Sequence, residues 1–91
     1  MALSIYSYRR MVQGCTFLIE AVESTGDWRL VYCVGAGTYF LQRCAKAEAC
    51  ALLFKQHDPE NPDWKTLRER LPNLVLPPDI HDLKKWSVNL S

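Results

Sequence analysis

The chain has 91 residues, a formal net charge of +1 and 48% hydrophobic residues. That bounds it to one domain with a modest core, and it supplies enough apolar material to fold without metal or disulfide staples. The charge is evenly spread, which excludes the basic stripe of a dedicated nucleic-acid binder and any long-range steering toward polyanions or membranes. Residues 1–45 set Arg9, Arg10, Arg29 and Arg43 against Glu20, Glu23 and Asp27, and the rest of the chain balances seven basic against seven acidic side chains.

In the first 13 residues Ile5, Ser7 and Arg9 alternate with Tyr6, Tyr8 and Arg10, and Gly14 then interrupts. Two readings stand: a first strand leading through Gly14 into a hairpin, or an N-terminal arm. The clearest pattern comes next. Cys15, Phe17, Ile19 and Ala21 share one face of a run, and Trp28, Leu30, Tyr32 and Val34 share one face of a second. This is period two, with β-branched and aromatic residues, and the link Glu23-Ser24-Thr25-Gly26-Asp27 carries turn chemistry. It predicts a β-hairpin that fixes the core of a small sheet. Gly35-Ala36-Gly37 permits a tight reversal. Thr38–Arg43 alternates again and predicts a third antiparallel strand. The competing reading is a longer helix capped by Thr38, because Phe40, Cys44, Ala47, Ala51 and Phe54 also keep helical spacing.

Residues 45–57 predict the main helix. Alanine and leucine dominate, neither Gly nor Pro intervenes, and Ala47, Cys50, Leu53 and Phe54 cluster on one side. Pro59 ends it. Asn61-Pro62-Asp63 then has the form of a second helix start, with a capping side chain, a preset φ and an acidic first turn. Trp64, Leu67 and Leu71 give that helix a narrow apolar stripe, and Pro72 ends it. Leu74-Val75-Leu76 reads as extended, stiffened by Pro77-Pro78, and a last short helix is expected from Asp79 to Trp86. The expected architecture is therefore α+β: an antiparallel sheet of three to four strands packed on one main helix. Residues 1–58 form the sheet-and-helix core, and 59–91 form a helical, proline-punctuated extension packed on the same domain.

The chemistry-bearing residues are sparse. Cys15, Cys33, Cys44 and Cys50 form no C-x-x-C, and Cys44 and Cys50 stand six apart. Structural zinc sites normally pair ligands two to four residues apart on a turn, so no metal site and no cofactor is expected. The segment from Met1 to Arg10 lacks the long apolar run of a signal peptide. Three of the cysteines sit in apolar periodic segments, where free Cys behaves as a small hydrophobe. The expectation is reduced thiols in a cytoplasmic protein. No run is long enough to cross a bilayer as a helix. His57 and His81 lie in polar surroundings and pair with no thiol at any recognisable spacing, so no catalytic residue is assigned. The Gly35-Ala36-Gly37-Thr38 loop lacks the third glycine of a dinucleotide fingerprint and the Gly-Lys of a phosphate loop.

Partner binding remains. Tyr6, Tyr8, Trp64 and Trp86, with Arg9 and Arg10, are the residue types that interface cores and rims use. The expected function is a non-enzymatic protein–protein interaction module, a small adaptor or inhibitor that occupies a surface of a larger macromolecule. The expected route is the exposed edge of the sheet offered by Ile5–Met11, to another protein or to a second copy as a homodimer. A second reading is a nucleic-acid-binding regulator using the sheet face and basic arm, through Arg9, Arg10, Arg29, Tyr39 and Arg43. A third, weaker reading is a small Cys- or metal-dependent enzyme.

Overall fold

The computed structural model describes residues 5–56 and 60–90. Four strands, β1 (Ile5–Val12), β2 (Cys15–Val22), β3 (Asp27–Val34) and β4 (Gly37–Cys44), run as an antiparallel meander. Two helices, α1 (Ala47–Gln56) and α2 (Pro62–Arg70), come after them, and beyond a 3₁₀ turn at Leu83–Lys85 the chain returns as β5 (Ser87–Leu90). The sheet order is β4-β3-β2-β1-β5. It is α+β, with five strands and two helices where three to four strands and one main helix were expected.

Each hairpin is closed by the backbone its turn requires. Val12 pairs with Cys15, so Gln13 and Gly14 form a two-residue loop with φ of 49° and 81°. Positive φ at both central residues is the signature of a type I′ turn, whose twist matches the strands it joins. The Gln13 side chain holds that strained position by accepting a 2.8 Å hydrogen bond from the Val75 amide. Gly14 therefore closes a hairpin, and the N-terminal run is a strand rather than an arm. Val34 pairs with Gly37, which leaves Gly35 and Ala36 as the third turn. Thr38 lies within β4, and the main helix begins at Ala47. His57 and Pro59 lie outside the described residues.

Directly paired residues share a face, so the register sorts the sheet into two surfaces. One carries Val12, Cys15, Phe17, Ile19, Leu30 and Tyr32, all buried beneath the helices. α1 lays Ala47, Cys50, Ala51 and Phe54 on it, and α2 adds Trp64 and Leu67. The small residues of α1 let its backbone come close, and Phe54 fills the remaining depth. Asn61 caps α2 as expected, its Oδ1 accepting from the amides of Asp63 at 2.9 Å and Trp64 at 3.4 Å. The same buried cluster takes in Ile80 and Trp86.

Residues 79–86 are not the expected helix. Asp82 caps a single 3₁₀ turn, and Trp86 is already extended at φ −89°, ψ 147°. Its indole donates 2.9 Å to the Ile80 carbonyl and is 4% exposed. Burying that ring turns the chain back onto the sheet, where Tyr8 pairs with Val88 and Arg9 with Ser87. β1 is consequently an interior strand, and the expectation that Ile5–Met11 forms a free edge is overturned. The edges are β4 and β5, and both are blunted. β4 carries a bulge between the Leu30 and Val31 pairings, with Leu41 turned into the core, and β5 has four residues. Bulges and short strands are the usual protection against strand addition.

Candidate partner-binding face

Among the described residues no helix lies on the second surface of the sheet. Its register gives three rows, each running across β4, β3, β2 and β1. The central row is Phe40, Val31, Leu18, Arg9. On one side of it lie Arg43, Arg29, Glu20 and Ser7, and on the other Thr38, Cys33, Thr16 and Met11. Phe40 is 50% exposed and Met11 68%. Val31, in the middle, is shielded by its neighbours to 4%. Leu18 beside it is half-buried, so the exposed apolar side chains, Phe40 on edge strand β4 and Met11 on β1, stand on either side of a shielded centre among polar and charged neighbours, the residue types a recognition surface mixes.

The rim is electrostatically organised. Arg29 and Arg43 are direct cross-strand neighbours, a repulsive placement that each offsets with its own carboxylate. Arg29 Nη2 lies 3.6 Å from Glu20 Oε2, and Arg43 Nε lies 3.5 Å from Asp27 Oδ2. Arg43 also donates 3.1 Å to Thr25 Oγ1. Arg9 is exposed and makes no ion pair among the described residues.

The structure divides the residues singled out from sequence. Arg9, Arg29 and Arg43 share the open face. Arg10, one residue on, faces the opposite way, where its Nη2 pairs with Asp79 Oδ1 at 2.8 Å and its Nη1 donates 3.3 Å to the Lys85 carbonyl. That contact pins the C-terminal turn. Tyr39 is also on the helix side. Its ring packs on Tyr32 at 5.2 Å and lies 3.7 Å beneath the Arg70 guanidinium, which donates 3.0 Å to the Tyr32 hydroxyl. The five-residue set proposed for nucleic acid is thereby split across two faces. Trp64 and Trp86, expected as surface anchors, are 2% and 4% exposed and belong to the core. Tyr6 is exposed beside the irregularity where β1 meets β5.

Tyr8 forms the floor of a separate cleft of about 550 Å³ between α1 and the 81–84 turn, with Leu52, Leu83, Trp86 and Val88 as apolar walls. Burial, and then the Glu48 carboxylate, push the Tyr8 phenol above its ordinary value. Leu18, Val31, Phe40 and Met11 were not singled out from the sequence. The signal was there: Leu18 and Val31 are apolar at positions where a one-sided sheet alternates to polar.

The thiols divide as well. Cys15 and Cys50 are wholly buried, and burial pushes them up to about 11 and about 12, with Cys33 and Cys44 as the respective neighbours adding to it. Below the ordinary value of 9.0 both the folded and the unfolded chain keep these protons. Above it the unfolded chain ionises first, so stability falls as pH rises through the interval up to about 12. The urea midpoint in reductant is expected to drop between about pH 8 and pH 10.5, and Cys50→Ala is expected to make the drop shallower. An equally steep drop in that variant would assign the pH dependence to other groups. Among the described residues no three His, Cys, Asp or Glu side chains gather, and no helix is long and apolar enough to cross a membrane. Comparison of the chain with known protein families, with curated proteins and with solved structures found no match.

Proposed function

We propose that this protein is a non-enzymatic protein-recognition module, a small adaptor or inhibitor that works by laying the open face of its sheet on another protein. The observation that carries this reading is the pair of exposed apolar side chains, Phe40 and Met11, on either side of half-buried Leu18, on a sheet face that also carries paired charges. Single-stranded nucleic acid asks for several stacking rings along a basic groove. Among the described residues this face offers one ring, Phe40, and two of its three arginines are already held by carboxylates. A protein surface with a small apolar centre and mixed charge fits it better. Free thiols at all four cysteines suit a reducing compartment such as the cytoplasm.

The test is affinity capture with the tagged chain, with and without nuclease, beside a Phe40→Asp variant. Phe40 is half exposed, so the variant is expected to melt close to wild type. The reading expects nuclease-resistant capture that Phe40→Asp abolishes. Capture that disappears with nuclease and needs Arg9 would replace it with the nucleic-acid reading.

A further inference from the structure

We infer that the open face is built to pack on a second copy of this chain, sheet on sheet, about a two-fold axis running along the strands between β2 and β3. The inference rests on the protein-recognition reading and names the partner. Such an axis exchanges β2 with β3 of the second copy, and β1 with β4 of the second copy. Each row of the face is then laid on its own reverse. In the central row Leu18 meets Val31 of the second copy, and Arg9 meets Phe40 of the second copy. In the charged row Glu20 meets Arg29 of the second copy, and Ser7 meets Arg43. In the third row Thr16 meets Cys33, and Met11 meets Thr38.

No charge meets a like charge in this arrangement. The two-fold repeats an ion pair, Glu20 with Arg29, and an arginine over an aromatic ring, Arg9 on Phe40, once on each side of an apolar centre. Arg9, the one arginine of the face without an ion pair among the described residues, is the residue that gains a ring. Asp27 meets Val22 at the rim and keeps its own Arg43. The other in-plane two-fold, across the strands, lays the charged row on the Thr–Cys row and leaves Glu20 and Arg29 without partners in the second copy. Aligned packing of this kind is how sandwich sheets associate, with their faces about 10 Å apart.

The size of the face sets the strength. Four strands at about 4.8 Å spacing and eight residues at about 3.3 Å rise cover a footprint of about 500 Å² per copy, or about 1,000 Å² in total. That is the low end of specific interfaces, so the dimer forms as a function of concentration.

Sedimentation equilibrium of the full chain, carried up to about 1 mM, reads this directly. Wild type is expected to rise from the 10.5 kDa monomer toward twice that mass. Arg29→Glu and Glu20→Arg are each expected to weaken association by about tenfold or more, because each puts like charges together twice. The double exchange restores the pair within and between copies and is expected to restore association. Phe40→Asp is expected to leave a folded monomer. A wild-type chain still monomeric at about 1 mM overturns the inference. So does a dimer that persists in Phe40→Asp, or a double exchange that fails to rescue while its melting temperature matches wild type. The capture experiment reports separately. Nuclease-resistant capture lost in Phe40→Asp keeps the recognition reading even where self-association fails.

Discussion

Phe54→Ala is expected to cost about 3–5 kcal/mol, the usual range for emptying a buried phenylalanine site. Phe54 is the residue through which the separate parts of the core touch. Its ring meets Phe17 of β2 edge-on at 5.0 Å, Trp64 of α2 edge-on at 5.5 Å and Trp86 of the C-terminal turn at 6.0 Å. Tilted and edge-to-face contacts of this kind add to the area term, so the cost belongs at the upper end of that range. Against a whole-domain stability of about 5–15 kcal/mol, the loss removes a third of the total or more. For a domain of this size the thermal midpoint is expected to fall by about 20 °C. Thermal denaturation followed by circular dichroism checks it. An unchanged midpoint would mean that β2, α2 and the C-terminal turn are held together elsewhere.

Removing residues 1–11 is expected to abolish folding altogether. The deletion takes out β1, which pairs with β2 on one side and β5 on the other. It removes Tyr8, whose ring packs on Trp28 at 5.8 Å, and Arg10, which ties down Asp79. β5 is left with no neighbour, and β2 becomes a long unprotected edge. The expected measurement is loss of the native near-ultraviolet spectrum together with aggregation at moderate concentration. A truncated chain that stayed folded would show the N-terminal run to be the dispensable arm that one reading of the sequence allowed.

The division between what sequence reasoning reached and what it missed reflects the range of the interactions involved. Phe17, Ile19, Leu30, Tyr32, Cys50 and Phe54 are legible as core because each belongs to a local period, of two or of 3.6, and all six are buried. The α2 cap is legible because Asn61, Pro62 and Asp63 act within one turn. The place of β1 was not, because whether an alternating run is an edge or an interior strand depends on a partner 82 residues away, where Asn89 Nδ2 donates 2.9 Å to Ser7 Oγ. β5 itself is four residues, too short to show a period. Trp64 and Trp86 read as surface anchors because the segments around them are short and only weakly periodic. Their burial comes from a core that draws on the sheet and both helices at once, which no local window contains. The arginines divide for a simpler reason: adjacent residues of a strand face opposite ways, so Arg9 and Arg10 cannot act together.

The same long-range pairing has a kinetic consequence. β2, β3 and β4 can each close onto the strand before them through turns of two to four residues, a local process complete within microseconds to milliseconds. The outer side of β1 has no such option. Its partner is the last strand, and closing so long a loop carries the largest entropic cost in the chain. During synthesis the meander therefore presents a bare, eight-residue edge until Ser87–Leu90 has emerged. For that interval the tyrosines and arginines of β1 are open to whatever extended chain is nearest. Refolding is expected to show this as a late phase that β5 controls: Val88→Pro would slow or prevent the last step while leaving the early hairpin signal in place.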